Sequence, residues 1–341
     1  MTDQITRLDS VRFKIARALL IALVGTAACV GVALLFSSSA RADSISCNGP
    51  VTAPTGPATV SAASTPFGSV LVGGSGAYAG CSLYLLTSDQ LHALSGAGFA
   101  CNDNPTVLGP ACDTILWPAL LTDGAPIAGP GVNPTLLGTV TRTDVLAGGE
   151  PVQQVTYAGL PLYRFHFDEE PGETEGANVF DPVTSPTGTW YRVNASRGGP
   201  APGQAELQLE TAPAPGLGPE TVLAATMDND FTTVAPDGVA FPVYTLSSDS
   251  GHESACQGLC ALDWQPVLTW QRPEAGAGVD QHALGIIVRP DRTHQVTYDG
   301  QPLYLFYKDA WIPGRVGTPG INGAGAQGPL DGIFNTIPSL P

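Results

Sequence analysis

Asp89-Gln-Leu-His92 and Asp249-Ser-Gly-His252 place a carboxylate and an imidazole three residues apart at two matching points of one chain. Carboxylate oxygen and imidazole nitrogen are ordinary ligands of a divalent ion such as Zn²⁺ or Cu²⁺. Asp89, His92, Asp249 and His252 are therefore the candidate metal-ligating residues, each pair offering two ligands to a site shared between the copies. Two ligands per copy fall short of a closed tetrahedral site, and both residue types are common in turns, so the plainer reading is surface hydrogen bonding. The other histidines, His166, His282 and His294, align with Tyr307, Thr135 and Gln153 across the repeat described below and share no pattern.

Sulfur is the second possible chemistry. Beyond the N-terminal segment stand Cys47, Cys81, Cys101, Cys112, Cys256 and Cys260, an even number that reads as three disulfides in an exported chain. Cys256 and Cys260, followed by Trp264, correspond to Cys101 and Cys112, followed by Trp117, which leaves Cys47 for Cys81. The rival reading makes CQGLC a redox dithiol or half of a metal site. A catalytic dithiol must keep its spacing, because the second sulfur has to reach the first in an intermediate. The first copy, FACNDNPTVLGPAC, carries seven more residues between its cysteines, which a structural bridge tolerates as a longer loop. The acidic run DEEPGETE at 168–175 lacks the ligand order of an EF-hand and reads as a solvated turn. No GxSxG, P-loop or HExxH is present, so no catalytic residue and no resident cofactor are expected.

The elements that must position these residues come in pairs. VTYAGLPLYRFHFD at 155–168 returns as VTYDGQPLYLFYKD at 296–309, with nine of fourteen positions identical. GVNPTLLGTVTRTD at 131–144 aligns with GVDQHALGIIVRPD at 278–291, WP at 117–118 with WQP at 264–266, and CSLYLLTSD at 81–89 with FPVYTLSSD at 241–249. The expected layout is a signal peptide over 1–42, a lead-in over 43–63, a first repeat domain over 64–197, a Pro/Gly-rich linker over 198–220 and a second repeat domain over 221–341. Within each domain the pattern Tyr-x-[Phe/Leu]-x-x-Asp occurs twice, ending at Asp89, Asp168, Asp249 and Asp309. β-rich segments with glycine turns precede it, so each unit reads as a hairpin. Period two puts Tyr163, Phe165 and Phe167 on one face and Leu162, Arg164 and His166 on the other. Tyr84, Tyr163, Phe165, Tyr244, Tyr304 and Phe306 form the predicted core stripe. Asp168 and Asp309 fall where the strand stops and read as turn starters.

With 41 Gly, 31 Pro and only 13% charged residues, the chain is turn-rich and built of short segments. The expected fold is mainly β: two homologous small antiparallel β-hairpin domains, each with a short disulfide-bearing crossover that includes one helical turn near Trp117 or Trp264. Arg7, Arg12, Lys14 and Arg17 precede an uncharged apolar run from Ala18 to Phe36, and Ala40-Arg41-Ala42 offers an A-x-A cleavage pattern. The run is long enough that an uncleaved N-terminal membrane anchor is the alternative. Past residue 42 Lys308 is the only lysine, and the strong acidity repels phosphate backbones, so no nucleic-acid partner is expected.

These phrases resemble the bacterial secreted repeat of unknown function, also described as a predicted lipoprotein family with a conserved Yx(FWY)xxD motif. The resemblance rests on Tyr163, Phe165 and Asp168; on Tyr304, Phe306 and Asp309; on QVTYxGxPLY; on the Cys…Cys…Trp-Pro segment and the Gly-Val-[Asn/Asp] turn; and on Arg142 and Arg289 before Asp144 and Asp291. It runs over nearly all of both repeats and implies a secreted or envelope location, repeated small domains and no assigned activity. Three departures stand out. Gln265 interrupts the second Trp-Pro, GIFNTI at the end replaces GTWYRV so that the last strand is expected to be altered, and no convincing lipobox surrounds Cys29 or Cys47. The function expected is an exported, non-catalytic binding or structural module of the cell envelope with an unknown envelope or extracellular partner. The alternative is a periplasmic or extracellular metal- or redox-handling protein.

Overall fold

Short alternating segments separated by Gly and Pro become short strands. The computed structural model describes residues 45–65, 68–90, 98–102, 112–147, 150–181, 188–214, 216, 218–226, 240–309 and 320–338. The predicted signal segment, and with it the choice between cleavage and anchoring, lies outside them. Among the described residues no helix is long and apolar enough to cross a membrane.

The two repeats lay down the same pairings. In the first, Thr59–Thr65 pairs antiparallel with Gly68–Gly73 and parallel with Ile127–Ala128. In the second, Glu206–Ala212 pairs antiparallel with Glu220–Thr226 and parallel with Glu274–Ala275. Leu137–Ala147 runs against Glu150–Tyr157, as Leu284–Val288 runs against His294–Tyr298. Tyr84–Leu86 pairs with Gly188–Val193, and Ala240–Leu246 pairs with Phe334–Thr336, so GIFNTI does form the closing strand. The crossover behind each cysteine pair is a single helical turn, π-type over Cys112–Leu116 and α over Cys260–Asp263.

The repeating unit opens earlier than the sequence suggests. Thr59 starts a strand inside the segment read as a lead-in, and Glu206–Ala212 lies wholly inside the segment read as a linker. Pro200–Ala201 in that same segment also pairs with the Gly188–Val193 strand. ELQLETA alternates, and burial of Leu207 fixes its register. The Pro, Gly and Ala on either side conceal that alternation.

Burial is divided among three clusters. One is shared: Leu71, Leu85, Val155 and Tyr191 of the first repeat pack with Leu207, Val243, Val267 and Leu303 of the second. Each repeat then keeps an aromatic core of its own, around Trp117 and around Trp264. The segment after Gly159 is buried on both sides: Arg164 is as inaccessible as Tyr163, with its guanidinium 3.9 Å above the Tyr78 ring and Nη1 donating to the Cys47 carbonyl. A guanidinium can be buried where an aromatic face and a carbonyl take over from water.

The hairpin turns also match. Ala158 and Gly159 have φ of 50° and 83°, and Asp299 and Gly300 have 47° and 77°, so both central positions lie in the left-handed region that a type I′ turn demands. Ala is poorly suited to that conformation and Asp tolerates it better. Ala158 is exposed, so Ala158→Asp, the residue used by the second repeat, is expected to stabilise the fold by about 0.5–1 kcal/mol, read as a higher urea midpoint.

Three disulfides staple the chain: Cys47–Cys81, Cys101–Cys112 and Cys256–Cys260, spanning 34, 11 and 4 residues. Loop-closure entropy makes the last the smallest contributor, and the double variant Cys256→Ser/Cys260→Ser is expected to lose about 2 kcal/mol. The check is chemical denaturation against the oxidised parent.

Candidate functional site

The four Tyr-x-[Phe/Leu]-x-x-Asp motifs meet in pairs. Antiparallel backbone bonds join Tyr84 to Tyr163, with N···O distances of 2.9 and 3.0 Å, and the same kind of pairing sets Tyr244 opposite Tyr304. Each tyrosine then crosses to the aspartate of the other motif. Tyr84 Oη donates to Asp168 Oδ2 at 2.6 Å, and Tyr163 Oη donates to Asp89 Oδ2 at 2.7 Å. In the second repeat Tyr244 donates to Asp309 at 2.6 Å and Tyr304 to Asp249 at 2.7 Å. The motif is therefore a reciprocal clasp between two hairpins, made twice.

The second oxygen of each aspartate holds a loop. Asp89 Oδ1 accepts from Ala100 N, Asp168 Oδ1 from Glu175 N, Asp249 Oδ1 from Ala255 N and Asp309 Oδ1 from Asn322 N, at 2.7 to 2.9 Å. These contacts reach six to thirteen residues onward, farther than the local turn start read from sequence. Burial pushes the Asp89 carboxyl up to about 6 and Asp309 to about 7, against the opposing pull of the tyrosine and backbone donors. Burial likewise raises Asp168 and Asp249, and the tyrosines are raised by burial and by the facing carboxylates.

An arginine backs each clasp. Arg142 Nη1 donates to Gln154 Oε1 and to Tyr163 Oη, while Nη2 reaches the Cys101 carbonyl at 2.7 Å. Arg289 repeats this through Gln295 and the Cys256 carbonyl, reaching Tyr304 by way of Ser254. Gln154 and Gln295 in turn donate to the carbonyls of Leu162 and Leu303, both at 2.8 Å. Hairpin, disulfide crossover and clasp are thus one hydrogen-bonded unit. Arg142 and Arg289 were legible as aligned residues, but sequence offered no sign of what they hold.

Beside the clasp lies an aromatic stack. Trp117 lies between Phe165 at 4.1 Å and Trp190 at 3.8 Å, and Trp264 between Phe306 at 4.3 Å and Phe334 at 3.5 Å. Phe334 thus takes the place of Trp190, which is how GIFNTI substitutes for GTWYRV. Gly176 and Gly323 close over the stack: a Cβ there would come within 2.8 Å of Trp117 and 2.5 Å of Trp264.

The proposed metal ligands are placed differently from one another. Asp89 is buried with both oxygens occupied as described, and His92 lies outside the described residues. Asp249 is half-buried and engaged by Tyr304 and Ala255, while His252 is exposed in a shallow groove with His282. Among the described residues no three His, Cys, Asp or Glu side chains are grouped to hold an ion.

A hairpin-built, disulfide-stapled β architecture whose Tyr/Asp motif is structural defines the class of protein. The family described as a secreted repeat of unknown function matches the chain twice, over 149–183 and 285–322. The matches take in Tyr163, Phe165 and Asp168 and Tyr304, Phe306 and Asp309. They stop short of the first hairpin of each repeat, so they are narrower than the resemblance read from sequence. Among curated proteins and solved structures nothing matches significantly.

Proposed function

We propose that this protein is an exported, non-catalytic binding or structural module of the cell envelope, acting with an envelope or extracellular partner. The observation that carries the reading is the reciprocal clasp. The residues that recur most plainly along the chain spend their polar atoms on one another and on the loops behind them. A catalytic carboxylate would instead face a substrate within hydrogen-bond reach. The three disulfides use all six cysteines beyond the N-terminal segment, which speaks for staples over redox chemistry. The acidic surface suits a cationic or basic partner over a phosphate backbone.

The test is free-thiol titration and metal analysis of protein purified from the envelope without reducing agent or chelator, together with identification of what co-purifies. No free thiol, no stoichiometric metal and a recurring protein partner support the reading. A reducible, solvent-reactive dithiol or one equivalent of Zn²⁺ or Cu²⁺ replaces it with metal or redox handling.

A further inference from the structure

The outer strand of one sheet is left open in the second repeat. Leu284–Val288 pairs with His294–Tyr298 on one side, and nothing among the described residues pairs with its other side. The direction of the neighbouring bonds shows which groups face out. Val296 donates its N–H to Val267 and accepts from Leu303, both on the far side of its strand, so Ile286, opposite Val296, points its own N–H and C=O away from the sheet. Val288, opposite His294, does the same, since the His294 carbonyl accepts from Thr269. An open row of backbone donors and acceptors is a template for one more strand.

The first repeat guards the same edge. Its strand Leu137–Ala147 carries a register shift between Arg142 and Leu146, and Thr139 and Thr141 are exposed along it. A bulge and polar side chains are ordinary devices against edge pairing. In the second repeat Ile286 and Val288 stand at the positions of Thr139 and Thr141, and they are 37% and 65% exposed. The register to His294–Tyr298 runs without a shift, and residues 283–288, ALGIIV, hold no charge. Leu284, two residues before Ile286 on the same face, is already buried in the shared core with Val296. The exposed pair therefore continues an apolar face that stops at the edge.

We propose that this edge pairs with the same edge of a second copy of the chain, antiparallel about a two-fold axis at Ile286. The strand is self-complementary in that register. Ile286 meets Ile286, and Val288 meets Leu284 of the second copy, so the outward-facing backbone groups bond in kind and the β-branched side chains pack across the junction. Beyond the ladder the same register sets the exposed Asp280 toward the exposed Arg292 of the second copy, at both ends. The chain is acidic overall, so two copies repel at long range. A partner must therefore offer a matching apolar edge flanked by these opposite charges, and a second copy offers both. An isologous contact of one edge with itself closes as a dimer instead of propagating.

Sedimentation velocity of the oxidised, exported protein tests this, together with thiol crosslinking. The expected result is a monomer–dimer equilibrium with Kd on the order of 10–100 µM at physiological salt, weak because the ladder is short. Ile286→Lys sets two ammonium groups face to face and is expected to weaken association at least about tenfold. Its melting temperature is expected to stay unchanged, because the side chain is exposed in the monomer. Ile286→Thr/Val288→Thr, which installs the first repeat's residues, is expected to weaken association by about three- to tenfold. The register is read separately, in a Cys29→Ser background. Cα atoms across the axis at Ile286 stand about 5.5 Å apart, inside the roughly 4.4–6.8 Å that a disulfide accepts, so Ile286→Cys is expected to crosslink the dimer. Two Val288→Cys thiols stand four residues apart along the ladder, roughly 14 Å, and are expected to stay free. A protein still monomeric at about 300 µM, parent-like association of Ile286→Lys, or equal crosslinking at 288 overturns the proposal. So does a monomer that takes up an extended segment of another protein along this edge. None of these results touches the envelope-module reading, which rests on the clasps and the cysteines.

Discussion

Trp117→Ala loses about 3–5 kcal/mol of unfolding free energy, measured by urea denaturation with a far-ultraviolet signal, and at the upper end leaves the protein largely unfolded. Trp117 is 1% exposed and touches Phe165 and Trp190 on its two faces and the Tyr84 ring edge at 5.5 Å. Truncation removes those contacts and opens a cavity that rigid strands on several sides cannot refill. A whole domain is commonly stable by only about 5–15 kcal/mol, so the loss takes a large share. Trp264→Ala is expected to cost less within the same range, since Trp264 is 6% exposed and stacks on Phe306 and Phe334, smaller than the indole of Trp190. Trp117→Phe separates stacking from volume by keeping one ring between the partners and recovering part of the loss. An indifferent Trp117→Ala protein would mean that the stack does not support the repeat.

The second large effect is on pH. Asp89 and Asp309 titrate at about 6 and about 7 in the folded chain, raised by burial above the ordinary value of 3.8. A carboxyl with a raised folded pKa binds more protons when folded than when unfolded. Its contribution is therefore fully present below about pH 4 and is lost as pH rises through 6 and 7. Each group is expected to remove on the order of 3 kcal/mol across that window. Thermal or urea unfolding should thus show the protein most stable in mild acid, declining from about pH 4 to about pH 7 and then levelling. Asp89→Asn and Asp309→Asn remove the titrating group while retaining a carbonyl acceptor, so each is expected to flatten its part of the slope. A parent that gains stability between pH 4 and 7 would contradict the burial assigned to these carboxyls.

How far the clasp could be read in advance differs by residue. Tyr163 and Phe165, like Tyr304 and Phe306, were legible as core because aromatic residues at period two belong inside a sheet. Asp168 and Asp309 were legible only as strand ends, since nothing local shows that a tyrosine 84 or 65 residues upstream will reach them. Period two puts Arg164 on the face opposite the aromatics, and only assembly buries that face too, beneath Tyr78 and the Cys47 carbonyl. The strand Glu206–Ala212 was hidden because composition averages over neighbours, whereas burial acts on single side chains such as Leu207.

What the amino-acid order determined by itself was local and repetitive: hairpins from period-two aromatics and glycine turns, paired cysteines from matching neighbours, and a unit used twice. Those follow from backbone geometry within a few residues and from comparing the chain with itself. The tertiary structure alone decided which tyrosine meets which aspartate and that the two repeats share one core. These depend on which distant side chains arrive together in space, and no spacing along a chain states that.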